Sequence, residues 1–125
     1  MNTREQGARG EGTAAAYLIA RGMALITQNL SYRGGEVDLV MRDGRYTVFV
    51  EVKQRGMSEQ YGLGRQAVTR EKQRRISAVA LRYLQQNGLV GTPVRFDVVE
   101  IQGERVTHLP NAFPYAPPAH RKGFF

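Results

Sequence analysis

The sequence is 125 residues long, which suits a single domain built around one core. It contains no cysteine, so a disulfide scaffold, a thiolate nucleophile and a Cys-ligated zinc site are excluded. Eighteen Lys and Arg residues against eleven Asp and Glu residues give a formal net charge of +7, which favours a polyanionic partner, either nucleic acid or an anionic membrane surface.

The expected compartment is the cytoplasm. No apolar run approaches the roughly 20 residues that a membrane span requires. The N-terminal sequence MNTREQGARGEG also lacks the apolar stretch of a secretory signal, so we expect no membrane insertion.

Fifteen of the eighteen cationic residues are arginine, whose planar guanidinium suits bidentate contacts with phosphate. A genome rich in G and C would raise the arginine content equally well.

The first predicted element is a helix over residues 3–21, which Gly22 would end. The apolar residues that follow helical spacing and indicate its buried face are Ala8, Ala15, Leu18 and Ile19. Glu11 falls on this face. A carboxylate among core-facing side chains is costly unless it is paired, protonated or bound to a cation.

Three strands are predicted next, over 23–32, 36–42 and 46–53. The second and third are joined through Asp43–Gly44, a strong short hairpin signal. A long helix with a basic run in its N-terminal half is predicted over 65–86.

A strand over 94–101 and a further candidate over 105–109 complete the predicted elements. This order predicts an α/β fold with a mixed central sheet flanked by helices, in which the strand–helix–strand connection allows a parallel pairing. We expect one domain over 1–110. The proline-rich, basic tail over 111–125 is expected to wrap the surface or to be disordered.

Three charged residues stand in the middle of the predicted hairpin strands, although Asp, Glu and Lys are poor strand formers. These residues are Asp38, Glu51 and Lys53. Residues two apart on a strand share a face, and so do residues paired across strands. A connection of two or four residues places Asp38 opposite Phe49 or opposite Glu51, whereas three residues would place it beside Val50 and Val52. The Asp-Gly signal favours a two-residue connection, so the carboxylates of Asp38 and Glu51 and the ammonium of Lys53 are predicted to converge.

Two carboxylates that meet repel each other unless a cation joins them. Their hard oxygens favour Mg²⁺ or Mn²⁺, and Lys53 would lie beside such an ion, where it could orient an attacking water or stabilise a phosphorane. This chemistry suits metal-dependent phosphodiester hydrolysis. The alternative interpretation is a solvated sheet face with a cross-strand salt bridge.

At this point the sequence resembles known families. Glu11, then GEVDL with Asp38, then EVK with Glu51 and Lys53, is similar to the core of PD-(D/E)xK nucleases. The segments GARGEGTAAAYLIARG, NLSYRGGEVDLVMRDG, VFVEVKQR and VRFDVVEI resemble the YraN family of small bacterial proteins, which is itself similar to archaeal Holliday-junction resolvases. The resemblance covers nearly the whole chain apart from the C-terminal tail.

The resemblance implies a restriction-endonuclease-like fold and a role for each matched residue. Asp38 and Glu51 match the metal-binding acids, Lys53 matches the motif lysine, and Glu11 matches an acid of the first helix that helps to complete the metal site. The proline that usually precedes the motif aspartate is replaced by Val37. By analogy with resolvases, a homodimer is also implied.

Several cations are candidates for contacts with nucleic acid. Lys72 and Arg75 lie on the second predicted helix, where a phosphate-tracking surface and a hydrated helix face are equally good interpretations. The cations that flank the predicted site along the sequence, and could contact the DNA backbone, are Arg9, Arg33 and Arg55. His108 and His120 show no spacing typical of metal ligands.

The function expected from the sequence is therefore a Mg²⁺- or Mn²⁺-dependent endonuclease that acts on DNA, with branched DNA among its candidate substrates. The first alternative is a non-catalytic nucleic-acid-binding module that keeps the nuclease fold. The second is a basic protein-interaction subunit, which would show no salt-dependent binding to DNA.

Overall fold

The computed structural model describes residues 3–118 and contains two helices and five strands in the predicted order. The elements are α1 (Thr3–Ile19), β1 (Ala24–Tyr32), β2 (Gly35–Asp43), β3 (Tyr46–Gln54), α2 (Arg70–Gln86), β4 (Val94–Gln102) and β5 (Arg105–Leu109). The predicted α/β class is confirmed. Neither helix of the described residues is long and apolar enough to cross a bilayer.

The five strands form one mixed sheet in the order β1-β2-β3-β4-β5. All neighbouring pairs are antiparallel except β3 and β4, which run parallel because α2 carries the chain back across the sheet. The predicted parallel pairing is therefore confirmed.

Each helix covers one face of the sheet. Val48 and Val50 of β3 pack in the core that contains Leu18 of α1, while Phe49 between them packs in the core that contains Ile76 of α2. This alternation explains why β3 and β4 are almost continuously apolar: strands buried on both faces need apolar residues at every position.

Both helices are shorter than predicted. α1 ends at Ile19 rather than at residue 21. Its buried face also differs from the predicted one: Ala14, Ala15 and Leu18 are buried, whereas Ala8 and Ile19 are exposed. That buried face begins at Glu11 by helical spacing.

The second helix begins at Arg70 rather than at residue 65. Thr69 is its N-cap, and the Thr69 hydroxyl accepts a hydrogen bond from the Lys72 backbone N–H at 3.2 Å. The preceding residues Gly64–Ala67 form a 3₁₀ turn. Periodicity alone did not locate this start because the buried Val68 falls in phase with the helix.

The first part of the predicted tail packs on the domain. Phe113 and Ala116 are buried, and the Ala116 N–H donates to the Ser77 hydroxyl of α2 at 2.9 Å. Of the two predicted behaviours, wrapping the surface describes residues 111–118. Residues 119–125, with the basic end of the tail and His120, lie outside the described residues.

A buried polar network is centred on Asp97 of β4, which pairs with Val50 of β3. Asp97, which is fully buried, accepts hydrogen bonds from Arg95 at 2.9 Å and from the Asn111 N–H at 2.9 Å, and its other oxygen lies 2.7 Å from His108 Nε2. Burial would raise the pKa of Asp97, but His108 and Arg95 outweigh it and hold that pKa below its usual range. His108 therefore has a structural role as a partner of Asp97.

Candidate active site

The hairpin register brings Asp38 and Glu51 together. Asp43 pairs with Tyr46 across a two-residue connection, and the pairing continues to Leu39 and Val50. One step beyond the last pair, the same register would set Asp38 opposite Glu51, one of the two arrangements predicted from a connection of two or four residues. Gly44 has a φ of 59° in this turn, a left-handed conformation that glycine adopts without strain.

The regular pattern of β2 breaks at Asp38. Val37 packs in the core beneath α2, whereas Leu39 and Met41 pack beneath α1, although residues two apart on a regular strand share a face. The pairing between β2 and β3 also ends here, and Asp38 Oδ2 accepts the Val52 N–H at 2.8 Å. Where the pairing of β2 with β3 ends, the Asp38 carboxylate thus accepts the hydrogen bond that a backbone carbonyl of β2 would otherwise accept.

The neighbouring edge strand is irregular at the same level. In β1, Gln28 pairs with Leu39 and Leu30 pairs with Val37, so Asn29 lies beside Asp38. Asn29 has a φ of 52°, and asparagine is among the few residues that tolerate this left-handed conformation. Both irregularities lie at the level of Asp38, which is half-buried.

Glu51 reaches this point from the α2 face. It is only 5% exposed, its Oε2 is buried without a hydrogen bond, and Lys72 Nζ of α2 lies 3.3 Å from that oxygen. Burial first, and then the adjacent Asp38, raise the pKa of Glu51 to about 8, although Lys72 partly opposes both effects. A carboxylate in this position is unfavourable for folding unless a cation joins it.

Glu11 reaches the same point from α1. Its Oε1 is buried without a hydrogen bond. Desolvation raises the pKa of Glu11, the charges of Asp38 and Glu36 raise it further, and a hydrogen bond with Asn29 opposes them. The charge of Asp38 on β2 thus acts on Glu51 of β3 and on Glu11 of α1, and Glu36 acts on Glu11 as well.

The lysine in contact with Glu51 is not the one that the motif predicts. Lys53 is half-buried on the same face of β3 as Glu51, and its neighbour in the register is Glu100. Lys72 makes the ion pair with Glu51. The sequence marked Lys72 only as a phosphate contact, because its distance from Glu51 depends on how α2 packs.

A polar groove of about 400 Å³ opens beside the carboxylates. It is lined by Ser31, Tyr32, Gly34, Gly35, Glu36, Lys72 and Arg75. Arg75 is exposed and forms an ion pair at 2.7 Å with Glu71 one turn earlier. Arg9 and Arg33 are exposed as well.

Arg55 has a different environment from the other predicted DNA contacts. Its side chain is 14% exposed, and its Nε donates to the fully buried Glu100 carboxylate at 3.1 Å. The same carboxylate accepts the Gly62 N–H at 3.1 Å. Arg55 and Glu100 therefore hold the loop after β3 against the sheet, and the Arg55 side chain is largely buried there.

Comparison with known proteins identifies the family. A family model described as uncharacterised protein family UPF0102 matches residues 10–101. The chain belongs to the UPF0102 family. The matched UPF0102 region runs from the second turn of α1 into β4, so it includes Glu11, Asp38, Glu51 and both lysines discussed above.

Several UPF0102 proteins are similar over most of their length. One from Geobacter sulfurreducens is 46% identical over 115 residues, which cover 88% of this chain and 89% of that protein. One from Symbiobacterium thermophilum is 45% identical over 100 residues, covering 80% and 84%. One from Yersinia pseudotuberculosis is 41% identical over 115 residues, covering 90% and 97%.

The donor atoms of this UPF0102 site fit a hard divalent cation. Carboxylate oxygens are the ligands that Mg²⁺ and Mn²⁺ prefer, and two of those oxygens, on Glu11 and Glu51, are buried without a hydrogen bond. Among residues 3–118, however, no three His, Cys, Asp or Glu side chains form a ready-made metal cage. The carboxylates converge, and Lys72 provides the positive charge that is already beside them.

Proposed function

We propose that this protein is a Mg²⁺- or Mn²⁺-dependent endonuclease of the PD-(D/E)xK type, similar to the YraN family, that hydrolyses phosphodiester bonds of DNA. The observation that carries the proposal is the coincident break of β1 and β2 at Asn29 and Asp38. At this level the charge of Asp38 acts on Glu11 of α1 and on Glu51 of β3. A sheet surface that only served solubility would not need buried carboxylates without hydrogen bonds.

The acidic residues would hold the cation. Asp38 and Glu51 supply the central pair of carboxylates, and Glu11 completes the set either directly or through water. When bound, the cation would neutralise charge that develops on the phosphate and acidify an attacking water. The Asp38 carboxylate is already oriented, because the Val52 N–H holds one of its oxygens at 2.8 Å.

Lys53 is the residue we assign to the attacking water. It shares the face of Glu51 two residues further along β3 and is half-buried. An ammonium there can orient the water or stabilise the negative charge of the phosphorane. A surrounding that is partly shielded from solvent strengthens this interaction.

The groove beside the carboxylates is the proposed path of the DNA backbone. Lys72 and Arg75 line it on one side, and Arg9 and Arg33 remain exposed for further phosphate contacts. The net charge of +7 supports a polyanionic substrate. Branched DNA is the first substrate to test, because the sequence is similar to junction resolvases. By the same similarity we propose that the protein acts as a homodimer, in the cytoplasm.

The test compares cleavage of junction, flap and linear duplex DNA by the wild type and by Asp38→Ala, with Mg²⁺ or Mn²⁺. We expect cleavage that requires the metal and falls by at least about a hundredfold in the variant, because one central ligand is lost. Glu104→Ala, which removes an exposed carboxylate in the turn between β4 and β5, is the matched control and should retain full activity. Equal activity of the wild type and Asp38→Ala would remove the assigned role.

A non-catalytic DNA-binding module is the second candidate. The ion pair between Lys72 and Glu51 favours it, since a lysine beside the carboxylate stabilises the site without any metal. Metal binding without cleavage on every substrate tested would support this candidate.

A further inference from the structure

Lys72 contacts two regions that the proposed reaction must use together. Its ammonium lies 3.3 Å from Glu51 Oε2, and its side chain also lines the polar groove. The Lys72 side chain is 38% exposed, whereas that of Glu51 is only 6% exposed. Lys72 thus connects the buried carboxylates with the open groove.

The contact with Glu51 is an ion pair without a hydrogen bond, because Oε2 has no hydrogen-bond partner although the ammonium is within 4 Å. Lys72 therefore lies near the carboxylate but does not saturate it. The α2 backbone fixes the base of the side chain, since the Lys72 N–H is held by the Thr69 cap. A lysine stem of four carbons is flexible, so the ammonium can reach both the carboxylate and the groove.

We propose that Lys72 is a mobile counter-ion of this site. Without metal its ammonium lies against Glu51; when a divalent cation binds, it turns into the groove and binds a phosphate of the DNA. This inference rests on the proposed function, since it presumes that the carboxylates hold a cation. It makes Lys72 a residue that couples metal binding to substrate binding.

The physical reason is competition between positive charges. An ammonium and a divalent cation at the same carboxylate oxygen repel each other strongly in a buried site, so binding of one disfavours the other. Once displaced, the ammonium lies in a groove beside Arg75, where a phosphate would be the natural partner for both cations. The metal and the DNA should therefore bind with positive coupling through Lys72.

The experiment measures two affinities in three proteins: the wild type, Lys72→Met and Arg75→Met. Isothermal titration with Mn²⁺ in the absence of DNA gives the first affinity. Anisotropy of a fluorescein-labelled duplex, with EDTA or with Ca²⁺, gives the second. Arg75→Met is the matched control, because Arg75 lines the same groove but forms its ion pair with Glu71 rather than with Glu51.

At a pH where Glu51 is ionised in both proteins, we expect Mn²⁺ to bind about tenfold more tightly to Lys72→Met than to the wild type, because the competing charge is gone. We also expect the gain in DNA affinity on adding Ca²⁺ to be lost. Arg75→Met should weaken DNA binding while leaving the Mn²⁺ affinity unchanged. Lys72→Arg, which keeps the charge, should remain near the wild-type Mn²⁺ affinity and serves as the check on folding together with a thermal melt.

An unchanged or weaker Mn²⁺ affinity in folded Lys72→Met, with normal binding by the wild type, would overturn the role of Lys72 alone. A wild type that binds no Mn²⁺ would overturn the proposed function and this inference together. If the role of Lys72 were purely structural, Lys72→Met would bind both Mn²⁺ and DNA more weakly. Tighter binding of Mn²⁺ together with loss of the Ca²⁺-dependent gain in DNA affinity is therefore the distinguishing result.

Discussion

Glu51 lies in an environment that is unusual for a carboxyl group on a strand. It is buried, its Oε2 lacks a hydrogen bond, and its pKa is raised to about 8, chiefly by burial and then by Asp38. In the unfolded chain this carboxyl would titrate near 4.5. The folded protein therefore holds the proton of Glu51 more tightly than the unfolded chain does.

This difference fixes the direction of the pH dependence of stability without metal. Glu51 imposes no penalty below the unfolded pKa, and the penalty grows as the pH rises through 4.5 towards about 8. At about 1.4 kcal/mol per pKa unit, it reaches at most about 5 kcal/mol. Glu51→Gln should remove most of it, so the variant should be more stable than the wild type near pH 8.

Urea unfolding at several pH values between about 5 and 9 in EDTA measures this effect. Asp43→Asn serves as a control for a carboxylate outside the site, because Asp43 pairs with Arg95 at the hairpin end. A stability curve for Glu51→Gln with the same slope as the wild type would contradict the account of Glu51.

Asn29 gives a second prediction at the same scale. Its φ of 52° suits asparagine or glycine, whereas a β-branched residue in this conformation is strained. We expect Asn29→Gly to keep the strand break and nearly wild-type stability. Asn29→Val should lose about 1–3 kcal/mol or force β1 into a regular strand.

Mn²⁺ titration of the two Asn29 variants distinguishes a local from a functional effect. If the break positions Asp38, Asn29→Val should bind Mn²⁺ more weakly than Asn29→Gly, even where both are folded. Equal Mn²⁺ affinities would show that the irregularity does not position the site.

These residues show what a sequence can and cannot predict about a site. The convergence of Asp38 and Glu51 follows from strand alternation and a two-residue turn, so it was predictable. The left-handed conformation of Asn29 was not predictable, because an asparagine in a predicted strand does not by itself indicate this conformation. The contact of Lys72 with Glu51 was missed for a different reason: it depends on the tertiary packing of α2.

At the scale of elements, the close approach of β2 to α2 shapes the groove. A Cβ on Gly35 would lie 3.2 Å from the Arg75 carbonyl oxygen and 3.2 Å from Val79 Cγ2. Gly35 therefore lets the start of β2 contact α2 directly, next to Lys72. The groove should change if these two elements are forced apart.

Gly35→Ala should consequently destabilise the protein by about 1–3 kcal/mol, the usual cost of overpacking. Gly12→Ala is the matched control: Gly12 lies in α1, and a Cβ added there would meet nothing within 4 Å, so alanine should be neutral or stabilising by up to about 1 kcal/mol. Thermal unfolding of both variants measures the difference. A Gly35→Ala protein as stable as Gly12→Ala would contradict the tight contact.

Element order was predictable because each strand and helix has its own period in the sequence. The boundaries of the elements were less predictable than their order. The start of α2 is set by the Thr69 cap, and the packing of residues 111–118 is set by long-range contacts such as the Ala116 N–H with Ser77. Such contacts join residues far apart in the chain, and no local pattern signals them.

For the whole molecule, the net charge of +7 predicts salt-dependent binding to DNA. The logarithm of the association constant should fall linearly with the logarithm of the salt concentration. Arg75→Ala should reduce the slope by about 1, the contribution of one phosphate contact. Anisotropy titrations across a salt series measure it, and DNA binding without any salt dependence would favour the protein-interaction subunit instead.

The central claim is that acidic residues from two strands and a helix hold one divalent cation. A crystal grown with MnCl₂ and measured at the manganese edge tests it most directly. We expect an anomalous peak between Asp38 and Glu51, with Glu11 directed at it and Lys72 moved away from Glu51. The absence of that peak, at a Mn²⁺ concentration that saturates the protein in solution, would contradict the account.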